Sequence, residues 1–476
     1  KKDISAFSLF HEFRHFGYSY EHIGNQIRQE QPFIVGISSL FTAYADQAVK
    51  TAQAIKKFYP QCLIVIGGHH PTIFPETVLD CDCKDFVIRG EGELPMAELC
   101  RALTQEKDIK KIPGLCFKNQ TGYHICDPFW ASDLADLPGP AMNLINYDFY
   151  QRNKRISTAI VSSRGCPMQC SYCSVSATSS HGGYRQRPVN DVAQEIETLL
   201  KAHDVGFIDF EDENLCLDKS WFFALFNRIT PLLSEKNIEL RAMNGLYPPS
   251  IDEDIVQMMH SAGFKTLNLA LGSTSTEQLT KFKRNHVGHA FEKALTLAGQ
   301  YGLECVSYLI GAAVGQTAIS SLADLLYLAS KRTLIGFSIF YPAPGSLDYA
   351  KCQDRHLLPE HFCQMRSTAL PIEDTTTRLQ AVTLLRLTRI LNFMKALMDM
   401  DGCLPKPEKF SWRKMNVAHD RTTLSKKILQ GFLFDGIIRG VMPDGEIYQQ
   451  QIDQDLAHQF VLKIKQIQII GVKCVH

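Results

Sequence analysis

Apolar and polar positions alternate along the first third of the chain in two distinct periods. Tyr20–Glu30 carries helical spacing, and Phe33–Ser39 (FIVGISS) is a short apolar run of the kind a buried parallel strand needs. Tyr44–Tyr59 predicts an amphipathic helix stopped by Pro60. Cys62–Ile66 predicts a second buried strand, closed by Gly67-Gly68, and Asp85–Ile88 a third, closed by Gly90. Leu94–Leu103 is helical again. This rhythm predicts a doubly wound α/β domain. Gly114–Lys118 and Tyr123–Asp127 flank Asn119-Gln-Thr-Gly122 and predict a hairpin. Asp133–Asn143 holds Gly and Pro without periodicity and reads as a linker.

From Thr158 the alternation resumes at greater length. Thr158–Ser162, Gly206–Phe210, Glu239–Met243, Thr266–Leu271, Glu304–Ile310 and Ile335–Tyr341 are candidate strands. Helical stretches such as Val189–His203 and Ile251–Ala262 separate them, the latter stopped by Gly263. Six β/α units predict a partial TIM-type barrel, with chemistry at the C-terminal ends of its strands. After Cys352 the pattern turns mostly helical, with Thr377–Met400 as one long helix. The chain thus divides into residues 1–128, a linker at 129–150, a barrel at 151–352 and a helical region at 353–476.

Composition narrows the field. Fifty basic residues balance fifty acidic ones, and no like-charge tail or basic face points to nucleic acid. No apolar run approaches the roughly 18 residues that span a bilayer. The chain opens on Lys1-Lys2-Asp3 without the apolar stretch of a signal peptide. Fifteen cysteines in such a chain read as reduced thiols and metal ligands, which predicts a cytoplasmic setting.

Arg164-Gly-Cys166-Pro-Met-Gln-Cys170-Ser-Tyr-Cys173 follows the first barrel strand directly. Three cysteines spaced C-x₃-C-x₂-C on one loop can each hold one iron of a cubane cluster, leaving the fourth iron without a protein ligand. A structural zinc site wants four ligands, usually as two separated pairs, and here there is a single triplet. The motif closely matches the radical S-adenosylmethionine (SAM) superfamily over roughly residues 150–350. The resemblance implies a [4Fe–4S] cluster on Cys166, Cys170 and Cys173, with SAM chelating the open iron and Tyr172 near its adenine. It also implies SAM contacts at the other strand ends. A carboxylate among Glu211, Asp212 and Glu213 suits the methionyl ammonium, with Asp212 or Glu213 preferred. Asn244 closes the third strand. Gly272 stands where relatives often place an acidic ribose ligand, which leaves ribose contact to Ser273, Ser275 or a residue elsewhere. Gly311 closes the fifth strand and would let backbone approach adenine.

In the first domain, Gly67-Gly68-His69-His70-Pro71-Thr72 and Gly90-Glu91-Gly92-Glu93 each follow a buried strand, at the carboxyl ends where open α/β sheets bind ligands. Ser38-Ser39 ends the neighbouring strand. These turns resemble those of the Rossmann-like cobalamin-binding domain found before radical SAM barrels. That resemblance implies cobalamin with its nucleotide tail between the loops, and contacts from Ser38, Ser39, Gly67, Gly68, His69, His70, Gly90, Glu91 and Gly92. Two departures stand out. The family's opening strand and Pro-rich turn are absent, so the first β/α unit is expected to be missing. No D-x-H-x-x-G occurs, so no histidine is expected on cobalt's lower face.

Together these resemblances predict reductive SAM cleavage to a 5′-deoxyadenosyl radical and methyl transfer from cobalamin to an unactivated carbon of a small-molecule substrate. The electron would come from an external flavodoxin- or ferredoxin-like donor. Radical rearrangement or oxidative cyclisation uses the same parts. A non-catalytic sensor would append an output module, and a tRNA methylthiotransferase would add a second cysteine set and an RNA-binding β domain. The sequence carries neither.

Overall fold

The computed structural model describes every residue except 1, 11, 13, 121, 176–182, 367–370, 413, 419 and 474–476. Residue 121, in the predicted hairpin turn, therefore lies outside the described residues. The first domain opens with α1 (Tyr20–Glu30), whose first turn is capped by Ser19 accepting from the His22 N–H. There follow β1 (Ile34–Ser38), α2 (Ala45–Phe58), β2 (Leu63–Gly67), α3 (His69–Ile73), α4 (Pro75–Leu79), β3 (Phe86–Ile88), α5 (Glu93–Thr104), β4 (Leu115–Asn119) and β5 (Gly122–His124). They build one sheet in the order β1-β2-β3-β4-β5. The first three strands are parallel and the last two antiparallel, as the predicted hairpin requires. Ile64, Ile66 and Val87 fill its core with almost no exposure. β1 lies at the edge of the sheet, paired on one side only.

The second domain holds the six expected strands, β7 (Arg155–Ile160), β10 (Val205–Phe210), β11 (Glu239–Arg241), β12 (Thr266–Gly272), β13 (Glu304–Gly311) and β14 (Leu334–Ile339), with the two-residue β6 (Gln151–Arg152) beside β7. β7, β10 and β11 form one parallel run, and β12, β13 and β14 another. Parallel bridges Leu240↔Phe264 and Leu246↔Leu269 join the two runs. Consecutive parallel strands need crossover helices. These are α6 (Val189–Ala202), α7 (Lys219–Ser234), α8 (Glu253–Ala262), α9 (Thr276–Lys281), α10 (Gly288–Gln300) and α11 (Ala318–Ala329). Asp252 caps α8 at its start, and Gly263, at φ 105°, ends it in the left-handed conformation that glycine tolerates best. Two short strands, β8 (Ser163–Arg164) and β9 (Arg185–Gln186), pair antiparallel and bracket the cysteine loop.

The last region is helical, as expected: α12 (Leu347–Asp354), α13 (Arg378–Asp401), α14 (Arg421–Asp435) and α15 (Gln454–Ile464). It also holds an antiparallel pair absent from the sequence reading, β15 (Arg439–Val441) with β16 (Ile447–Gln449). Two segments cross the expected divisions. Residues 3–8, counted with the first domain by sequence, bond instead to the C-terminal region, the Ile4 N–H donating to the Val441 carbonyl at 2.9 Å. Phe362, beyond the barrel, stacks on Phe74 of the first domain with ring centroids 5.3 Å apart. Among the described residues no helix is long and apolar enough to cross a membrane.

Candidate active site

The turns at the strand ends of the first domain face the cysteine loop of the second. A cavity of about 850 Å³ lies between them. Ser38, Gly68, His69, Gly90, Glu91 and Gly92 line it from one side, and Arg164, Gly165 and Glu213 from the other. Residues Leu134 to Ala141, which sequence reads as a bare linker, supply much of a third wall together with Trp130. After a short 3-10 turn at Leu134–Asp136, the Pro and Gly residues carry the chain over the cavity without periodicity.

Gly68 sits at φ 111°, and a Cβ there would fall 2.7 Å from the Ser39 carbonyl oxygen. The turn is therefore available only to glycine. Ser39 and Gly67 build the floor of this turn. The Ser39 N–H donates to the Gly67 carbonyl at 2.7 Å, and its own carbonyl accepts from the His70 N–H. The two histidines part company. His69 lines the cavity. His70 is buried against Thr42, Phe74 and Phe362, and burial pushes its imidazole down to about 4. It packs locally rather than meeting a ligand.

The cysteine loop is held at three points. Ser171 donates its hydroxyl to the buried Asp348 of α12 at 2.8 Å and its N–H to the Phe282 carbonyl. The Tyr172 hydroxyl accepts from Arg284 at 2.8 Å, and its ring meets Phe282 edge-on. Arg164 reaches across to Glu91 and Glu93 of the first domain. The Cys166 thiol lies within electrostatic reach of Cys170, Cys173 and Glu213. Among the described residues no three His, Cys, Asp or Glu side chains are gathered round one point, as a mononuclear metal would require. A cubane takes its three thiolates at separate corners.

The three carboxylates after β10 have different tasks. Asp212 points inward, where it accepts from the Ser162 N–H and from the hydroxyls of Ser162 and Ser163. Burial nevertheless pushes its carboxyl up. Its hydrogen bonds fix the start of the cysteine loop, and it does not meet the cavity. Glu211 is exposed at the barrel mouth. Glu213 lines the cavity beside Cys166, and burial pushes its carboxyl up. Asn244 is exposed at the end of β11.

The serines named for ribose are engaged within the protein. Ser273 is buried and donates to Asp324 of α11 at 2.8 Å, and Ser275 caps α9 by accepting from the Gln278 N–H. Neither side chain is free. Gly311 is likewise a packing requirement, since a Cβ there would fall 2.1 Å from the Phe337 ring. Sequence reasoning missed Arg164, Arg185, Arg284 and Asp348. The available signal was the position of Arg164, two residues before the first cysteine.

Residues 10–100 match the model of the B12 binding domain, and residues 160–318 match that of the radical SAM superfamily. The chain therefore carries a B12 binding domain followed by a radical SAM domain. Its cofactors are accordingly a [4Fe–4S] cluster, SAM and cobalamin, and the cavity and three-cysteine loop fit them. An uncharacterized methyltransferase of Pyrococcus horikoshii is 27% identical over 62% of this chain and 63% of its own length. An anaerobic magnesium-protoporphyrin IX monomethyl ester cyclase of Synechocystis is 26% identical over 52% of this chain and 50% of its own. The chain thus spans under two thirds of either relative. Among solved structures, the radical SAM methyltransferase TsrM of Kitasatospora setae, with cobalamin and [4Fe–4S] cluster bound, superposes with a TM-score of 0.61. It is 16% identical, over 78% of this chain and 82% of that one, a likeness of fold.

Proposed function

We propose that this radical SAM protein is a cobalamin-dependent methyltransferase acting on a carbon centre of a small-molecule substrate. One observation carries the reading. Gly68, Gly90 and Gly92 of the first domain share a single cavity with Gly165 and Glu213 beside the cysteine loop. When bound, the cluster and SAM supply a 5′-deoxyadenosyl radical, and cobalamin supplies the methyl group.

The chain's own residues place and protect these groups. Cys166, Cys170 and Cys173 would hold three irons and leave the fourth for SAM. Glu213 is the carboxylate suited to the methionyl ammonium, since it alone of the three lines the cavity. Gly68 and Gly90 permit tight turns against the Ser39 and Phe129 backbone, and Gly92, with open space where a Cβ would stand, leaves backbone bare toward a corrin. The segment from Leu134 to Ala141 closes the third side and limits water. A flavodoxin- or ferredoxin-like protein would supply the electron. Radical cyclisation with the same cofactors is the second reading, favoured by the likeness to the cyclase.

The test is anaerobic incubation of reconstituted protein with SAM, reductant and methylcobalamin. Methyl transfer predicts both 5′-deoxyadenosine and S-adenosylhomocysteine. Deoxyadenosine alone would overturn methyl transfer in favour of cyclisation or rearrangement. Cys166→Ala, Cys170→Ala and Cys173→Ala should each abolish cleavage. Full activity in any one of them would remove that cysteine from the cluster.

A further inference from the structure

We propose that Glu91, Glu93 and Arg164 are positioning residues that couple the cobalamin and cluster sites, so that each cofactor tightens the binding of the other. The inference rests on the reading of the cavity given above.

The contacts are specific and part of the cavity wall. Arg164 Nη1 lies 3.1 Å from Glu91 Oε1, and Arg164 Nη2 lies 2.5 Å from Glu93 Oε1. Glu91 is buried, and its carboxylate also accepts two bonds from Arg185, at 2.9 and 3.0 Å. It accepts a further bond from the Ala131 N–H at 2.7 Å, which ties in the linker. Arg164 and Arg185 are partners across β8 and β9, the two strands that bracket the cysteine loop. All three residues of the proposed link line the cavity.

The coupling follows from where these residues sit in the chain. Glu91 lies between Gly90 and Gly92, which would touch the corrinoid. Arg164 lies two residues before Cys166, which would hold iron. With the cluster in place, Cys166 is tethered and Arg164 has a fixed origin from which to grip Glu91 and Glu93. The glycine turn is then held in its binding geometry before the corrinoid arrives, and pre-organisation of this kind raises affinity. Without the cluster the loop from Cys166 to Cys173 keeps its anchors at Ser171 and Tyr172 but loses its three thiolate ties. Arg164 then holds the turn less firmly, and binding must order it. Linkage requires the effect to be reciprocal.

The experiment measures the dissociation constant of hydroxocobalamin by visible absorbance, on cluster-loaded and cluster-free full-length protein. For the unsubstituted chain the cluster should tighten binding by about five-fold or more, the lower range of known couplings. In Arg164→Met the ratio of the two constants should fall toward one. Glu93→Gln keeps the side-chain length and removes one charged partner, and should lower the ratio even if Arg164→Met does not fold. A merely structural role would weaken both forms by the same factor and leave the ratio unchanged. A ratio of one in the unsubstituted chain overturns the coupling, as does a full ratio in either folded variant with normal iron content. Failure of the unsubstituted chain to bind any corrinoid is a different result. It overturns the reading of the cavity and the coupling with it.

Discussion

At the residue scale, two positions decide whether the first domain can hold its ligand. Gly68 combines φ 111° with a would-be Cβ contact of 2.7 Å to the Ser39 backbone. Even Gly68→Ala should therefore displace the turn. The expected outcome is loss of corrinoid absorbance in the purified, cobalamin-supplemented protein, with iron content unchanged. Retention of both would show that the turn tolerates a side chain and that the site lies elsewhere. Glu91 acts through charge. Burial pushes its carboxyl up, but hydrogen bonds from Arg185, Ala131 and Arg164 outweigh this and hold it below the usual carboxylate range. A carboxyl held low stabilises the fold above its ordinary value of about 4.3, and that contribution disappears as pH falls through the lower, folded value. The grip between domains should thus be constant from neutrality to about pH 5 and weaken only in stronger acid. Glu91→Gln leaves the half-buried Arg185 with no carboxylate opposite, a change expected to cost less than the about 3–5 kcal/mol typical of a fully buried pair. The variant should be cut by protease at the linker at neutral pH, where the unsubstituted protein resists. Equal resistance would mean that the pair contributes nothing to closure.

At the scale of elements, the periodic parts were legible and the aperiodic ones were not. The strands of the first domain and all six barrel strands stand within a few residues of their predicted places, because strands with a buried face show as short apolar runs between turns. The helix at Tyr20–Glu30 has its predicted bounds. The two-residue strands β8 and β9 escaped, being too short to show a period. Ser273 and Ser275 were read as free hydroxyls because their partners are Asp324, some fifty residues away, and the first turn of their own helix. Lys395 is the extreme case. Sequence shows only a lysine within the long helix, yet it is fully buried in α13. Its ammonium donates to the carbonyls of Leu328, Ala329, Lys331 and Ile470 at 3.1, 3.3, 2.6 and 2.7 Å. Leu328 and Ala329 end α11, where carbonyls have no partner within the helix and carry its negative dipole end. The lysine therefore caps one helix from the side of another. Lys395→Met keeps the bulk and removes all four bonds; the Leu328, Ala329 and Lys331 carbonyls keep backbone donors in Lys331, Ile470 and Thr333, so the cost, about 1–3 kcal/mol for a carbonyl left unpaired, falls mainly on Ile470. A loss of about 1–3 kcal/mol is expected in urea unfolding of the C-terminal part. A change within about 0.5 kcal/mol, as for an ordinary surface site, would refute the capping role.

At the scale of the whole molecule, the chain's order along the sequence is not its order in space. Residues 3–8 precede the cobalamin-binding domain yet are built into the C-terminal region. The Asp3 carboxylate accepts from the Val441 N–H at 3.1 Å and from Gln450 at 3.3 Å. The Ser5 carbonyl accepts from Arg421 at 2.9 Å, and the Ala6 N–H donates to the Ser425 hydroxyl at 2.9 Å. Phe7 is 1% exposed, and its ring meets that of Phe393 edge-on, with centroids 5.4 Å apart. A strap of this kind carries a consequence that domain order alone would not suggest. Phe7→Ala should remove about 3–5 kcal/mol, the usual range for an aromatic side chain deleted from a core. That loss should fall on the C-terminal region, which Phe7 touches, and not on the sheet of the first domain. Hydrogen exchange separates the two, because local stability is read amide by amide. Amides of α13, α14 and β15 should exchange faster in Phe7→Ala, while those of β2 and β3 keep their protection and hydroxocobalamin binds with unchanged affinity. Faster exchange confined to β2 and β3 would place Phe7 in the first domain's folding unit, against the packing described.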